Sequence, residues 1–144
     1  MLEKSKKNLK IFGQLFVFLG IYDIVWPIIS YFLGKYNIND IATQANVSQD
    51  AVKIALIVLA IIIIIFAIIK ILIGLGSIDK ANGKENANIH TGLCKLILVL
   101  NIIALIILVP SMIKGNIDVY STCDSLVSII MISEMLKYNK ELSK

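Results

Sequence analysis

The chain has 144 residues, 58% of them hydrophobic and 17% charged, against about 45–50% apolar and about 25% charged in an ordinary soluble domain. That balance excludes an aqueous globule and points to a lipid bilayer as the partner of most side chains. Thirty isoleucines, fourteen lysines and no arginine give a net charge of +4, but the lysines flank apolar runs, so no nucleic-acid partner is implied.

At this length one domain is expected over 1–144, an all-α bundle of four transmembrane helices with a short amphipathic helix in the first outer loop. The first span is expected over 11–33. Lys4, Lys6, Lys7 and Lys10 precede it in the manner of a signal peptide. No small-x-small site ends the apolar run, however, and it is too long for a signal h-region, so an uncleaved span is expected. Read in sevens, Gly13, Gly20, Pro27 and Gly34 share one helix position, with Phe16, Asp23 and Ser30 three residues after the first three. Such a stripe of small residues lets helices approach closely and turns Asp23 toward protein. A carboxyl group at that depth costs about 2.5–3.5 kcal/mol on insertion scales and needs a partner.

Residues Ile38 to Val52 resemble the helix-turn-helix of small bacterial repressors, with Ala42 at the close crossing, Asn46 at the turn, and Val47 and Val52 at inward positions. Asp40 and Asp50 cancel Lys35 and Lys53, leaving no net positive charge for phosphates. The second helix also runs into an apolar span. The local expectation is a helix over Ile38 to Ala45, a turn at Asn46, and Ser48 capping the next helix.

Span two, 54–76, is apolar from Ile54 to Ile69, with the Lys70 stem expected to snorkel to the nearer headgroups. A polar loop from Asp79 to His90 follows. Span three, 93–112, carries Asn101 as interhelical glue. Lys114, Gly115 and Asn116 make a tight turn, with Asp118 as the expected N-cap of span four, 119–136. There Ser121, Asp124, Ser125 and Ser128 share a face. By helix rise, Ser125 and Ser128 lie about 9 to 14 Å below the outer boundary and Asp23 about 16 Å, so the serine face is the expected partner of Asp23. Asp23, Ser30, Asn101, Asp124, Ser125 and Ser128 thus form the candidate intramembrane polar site, and Gly13, Gly20, Pro27 and Gly34 the packing stripe. An Asp that only bonds hydroxyls should tolerate replacement by Asn.

Eleven lysines fall on the side of the termini and the second loop and three on the other, which sets both termini in the cytoplasm, across the plasma membrane. Cys94 and Cys123 are expected near opposite ends of their spans, too far apart for a disulfide. His90 has no metal-ligand companions, and no nucleophile set, phosphate loop or HExxH motif is present, so no cofactor, metal or enzyme activity is expected.

Two functions fit this inventory. One is an accessory or immunity-type protein that acts through helix–helix interaction with another membrane protein. The other is an oligomeric proton- or ion-coupled transporter or channel subunit using Asp23. In plan the chain looks like the small multidrug-resistance exporters, four-span proteins with an acidic residue in the first helix, which Asp23 matches. That family uses glutamate and shorter loops, and its dual-topology members carry a weaker lysine bias.

Overall fold

The computed structural model describes residues 2–34, 37–84, 87, 89, 91–113 and 119–142, and for Leu2, Ser111 and Tyr120 the backbone alone. The described residues form five helices, α1 (Leu2–Phe32), α2 (Ile38–Ala45), α3 (Gln49–Ala81), α4 (Thr91–Ile113) and α5 (Val119–Leu142). No strand occurs among them. The stretches Glu3–Phe32, Gln49–Ala81 and Thr91–Pro110 are long and apolar enough to cross a membrane. α5, the expected fourth span, is not among these three. Its apolar residues are diluted by serines and by the charged stretch from Glu134 to Glu141. Pro27 and Pro110 lie inside α1 and α4 without ending them, as membrane helices tolerate. His90, Lys35 and the turn from Lys114 to Asp118 lie outside the described residues.

Burial departs from that of a soluble protein. Ile57, Ile61, Ile64, Ile65 and Ile68 are exposed, whereas Asp23, Ser30, Lys70, Ser77, Ser125 and Ser128 are buried. Only an apolar solvent makes that arrangement favourable, because it leaves hydrocarbon outside and gathers polar groups where protein can serve them.

The chain divides into two compact units, Phe18–Ile71, and Met1–Val17 with Leu72–Lys144. In the first unit α2 has the expected bounds. The Asn37 side chain caps it by accepting from the Asn39 N–H at 3.1 Å, and Asn46 ends it in the left-handed region at φ 53°. Ser48 Oγ then accepts from the Ala51 N–H at 3.2 Å to start α3. Ala42 and Val52 are buried but Val47 is exposed, so the inward packing of a helix-turn-helix is incomplete.

In the second unit α1 begins at Leu2, well before its apolar run, so the lysine-rich head is helical. Its N-terminal turns lie on the end of α5. Asn8 Nδ2 donates to the Tyr138 hydroxyl at 2.8 Å, Ser5 Oγ donates to Glu141, and Phe12 stacks on Tyr138. Gly13 faces Gly74, Ser77 and Ile78 of α3, while Val17 meets Gly74. The pairing thus descends α3 as it climbs α1, and the two helices run antiparallel here. Ser77 Oγ lies 3.4 Å from Met135 Sδ. α4 packs against α5, as expected of a hairpin, and Cys94, Ile97, Ile132 and Met135 fill the core.

Candidate functional site

In the unit Phe18–Ile71 the expected stripe of α1 is its inner face: Gly20, Asp23 and Ser30 are buried and Pro27 is half-buried. The surface opposite Gly20 is α3. A Cβ on Gly20 would stand 2.8 Å from the Ala67 carbonyl oxygen and 2.7 Å from the Ile71 side chain, closer than real Cβ atoms come, so only glycine allows this approach.

One turn further along α1, Lys70 Nζ donates to Asp23 Oδ2 at 2.7 Å, with 5% and 10% of the two side chains exposed. This corrects one expectation. Lys70 does not snorkel to headgroups; it is drawn inward. Within its own unit Asp23 is partnered by an ammonium on α3, which the reading of span one did not include. The reason is electrostatic. In a low-dielectric interior an isolated charge is strongly disfavoured, and two opposite charges in contact offset much of each other's desolvation. On the same helix Tyr22 stacks on Trp26 at 5.7 Å.

The remaining candidates are distributed over the chain. Ser30 is buried, and its hydroxyl has no hydrogen-bond partner among the described residues. Ser125 and Ser128 are buried in the other unit, Ser128 with no partner for its hydroxyl among the described residues. Asp124 in that unit is half-buried. Asn101 Nδ2 donates to the Ile97 carbonyl at 2.8 Å, within its own helix. Gly34 follows the end of α1 at φ +69°, with nothing among the described residues within 4 Å of a would-be Cβ. There it serves as the left-handed stop that other residues adopt with strain. Cys94 is buried, Cys123 is exposed, and both are free.

Lys70 was readable in the sequence. Ala67, Gly74 and Ala81 repeat every seven residues along α3, as Gly13, Gly20 and Pro27 do along α1, and all three are buried. Lys70 stands three residues after Ala67 as Asp23 stands three after Gly20. Matching the two stripes gives the pair, whereas the expectation of snorkelling followed span length alone.

Chemically, the site is a neutralised pair. The carboxylate offered by the sequence for a cation or a proton is engaged by an ammonium, and no group of three His, Cys, Asp or Glu able to hold a metal ion occurs among the described residues. No protein-family model, curated protein or solved structure matches the chain.

Proposed function

We propose that the chain is a non-enzymatic, multi-pass protein of the cytoplasmic membrane that acts through helix–helix contact, as an accessory or immunity-type partner of another membrane protein. The observation that supports this reading best is the 2.7 Å contact of Lys70 with Asp23. A carboxylate already neutralised by a buried ammonium is poorly suited to bind a transported cation, and its evident work is to join α1 to α3. In this reading α5 is the fourth crossing helix of a single domain. Its low apolarity is no obstacle, since Ser125 and Ser128 are buried and Leu126, Val127 and Ile130 are exposed. Both termini are cytoplasmic by the lysine asymmetry.

Purified protein in vesicles loaded with a pH-sensitive dye should pass protons and alkali cations no faster than empty vesicles. A flux abolished by Asp23→Asn would replace this reading with that of a coupled transporter. Photo-crosslinkers at the exposed Ile57, Ile64 and Ile106 should give discrete adducts with one other membrane protein, and adducts with further copies of the chain alone would count against a heterologous partner. In a chain with Cys123 changed to Ser, a cysteine at position 46 should react with an impermeant reagent from outside; protection there would invert the orientation.

A further inference from the structure

The head of α1 breaks a rule of helix electrostatics. A helix N-terminus carries partial positive charge and favours acidic residues. Here Lys4, Lys6, Lys7 and Lys10 crowd it, all exposed, with Glu3 as the one acid of the first turn. Lys4 and Lys7, Lys7 and Lys10, and Lys6 and Lys10 stand at three- and four-residue spacing, where like charges repel.

The fold does little to relieve this. Glu141 takes the Ser5 hydroxyl, Glu134 pairs with Lys137 at 3.6 Å, and Asp79 pairs with Lys84 at 2.7 Å. None of the four lysines has an ion pair among the described residues. Yet the segment is held as helix, because Ser5 and Leu9 are buried and Asn8 and Phe12 are fixed on Tyr138. With about 100° between successive residues, the lysines occupy the arc opposite Ser5 and Leu9. Exposed apolar surface begins at once beyond them, at Ile11 and Leu15. Lys140, on the same end of α5 as Tyr138, is exposed as well.

We propose that this rigid lysine face is a docking surface for the anionic headgroups of the leaflet it borders. Phosphate diesters of lipid would supply the negative charge that the fold withholds, at the level where hydrocarbon starts. A soluble polyanion would meet the same charge but gain nothing from the apolar surface directly below it, which is why lipid is the occupant that fits. The proposal rests on the membrane reading above.

The test uses the full chain in nanodiscs made from an equal mixture of phosphatidylglycerol and phosphatidylcholine, with retained lipids counted by native mass spectrometry. Phosphatidylglycerol should be enriched about fivefold or more on the wild-type protein, a factor that the attraction of a single lysine for an anionic surface can supply. Combined Lys4→Gln, Lys6→Gln, Lys7→Gln and Lys10→Gln should abolish the enrichment with helix content unchanged by circular dichroism. The four Lys→Arg changes should retain it. So should Lys53→Gln, whose lysine pairs with Asp50 near the start of α3. Absence of enrichment on the wild type, or its persistence in the glutamine variant, would overturn the proposal. Displacement of the retained lipid by soluble glycerol phosphate would do so too, by making free phosphate the ligand. Release of wild-type protein from native membranes by alkaline carbonate would instead strike at the membrane reading beneath it.

Discussion

α3 and α5 answer the same problem in different ways. α3 is apolar around most of its girth, and its exposed side is a wall of isoleucine. Its few buried polar groups are served: Lys70 by Asp23, and Ser77 by the Ile73 carbonyl at 2.8 Å. α5 is far less apolar, yet it too turns Leu126, Val127 and Ile130 outward and buries Ser125 and Ser128, leaving the Ser128 hydroxyl without a partner among the described residues. Average hydropathy separates these helices, whereas the direction of burial unites them. Under the four-span proposal, what places a helix against lipid is the face it shows, and what makes a polar group tolerable is whether something bonds it. The predictions below probe that second difference at buried positions, since Lys70 and Ser77 of α3 are bonded whereas Ser128 of α5 has no partner among the described residues.

The largest effect should come from the ion pair. Lys70→Leu strands the Asp23 carboxylate and Asp23→Leu strands the Lys70 ammonium, and removing one member of a buried pair costs about 3–5 kcal/mol. The double Leu variant removes both charges and should recover most of that loss, because an apolar pair of similar volume is often neutral or better. Asp23→Asn, harmless had Asp23 met only hydroxyls, should now cost at least about 1 kcal/mol, since an amide leaves the ammonium uncompensated. Steric-trapping free energies in bicelles measure all four. If Lys70→Leu proved neutral, α3 would owe nothing to its buried charge and its contrast with α5 would collapse.

How much of this was legible in the sequence depended on the range of the signal. α2 and its caps could be read because Asn37, Asn46 and Ser48 act within a few residues of themselves. The inner face of α1 could be read because a repeat of seven is a property of one helix, and Gly13, Phe16, Gly20, Asp23 and Ser30 are all buried. The partner of that face was a different matter. Depth arithmetic brought Asp23 level with the serines of span four, which made them eligible, and the competing stripe on α3 was hidden among isoleucines. Within the unit charge complementarity pairs Asp23 with Lys70, a term that depth alone does not rank. The early start of α1 was missed for a similar reason. Four lysines near a helix N-terminus oppose helix formation locally, and it is Tyr138 and Glu141, near the far end of the chain, that hold the segment.

A smaller effect is expected at the glycine contact. A Cβ on Gly74 would lie 2.6 Å from the Gly13 carbonyl oxygen and 2.9 Å from the Val17 backbone nitrogen. Neither is the end of a flexible side chain, so α1 and α3 would have to separate. Overpacking of this kind costs about 1–3 kcal/mol, against a gain of up to about 1 kcal/mol from replacing a helical glycine by alanine. Gly74→Ala should therefore be destabilising by about 1 kcal/mol. Gly92→Ala, where a Cβ meets nothing among the described residues within 4 Å, should be neutral or slightly stabilising. The same bicelle measurement reads both, and equal effects would mean that α3 does not depend on close approach.

The smallest effect, and the one that sharpens the comparison most, is expected at Ser128. Its side chain is fully buried and its hydroxyl has no partner among the described residues. An uncompensated buried hydroxyl costs about 1–3 kcal/mol relative to a solvated one, so deleting it removes a liability and leaves only a small gap. Ser128→Ala should be neutral or stabilising by up to about 1 kcal/mol, the gap offsetting part of the gain. Ser77→Ala, which removes a hydroxyl bonded to the Ile73 carbonyl beside the Met135 sulfur, should instead lose about 0.5–1.5 kcal/mol. The sign of the difference between the two variants is the informative quantity, since both delete one oxygen atom from a buried helix face. Ser77 costing more than Ser128 is what a bonded Ser77 and an unbonded Ser128 require. The reverse order would mean that the Ser128 hydroxyl, like that of Ser77, is engaged by a bonding partner.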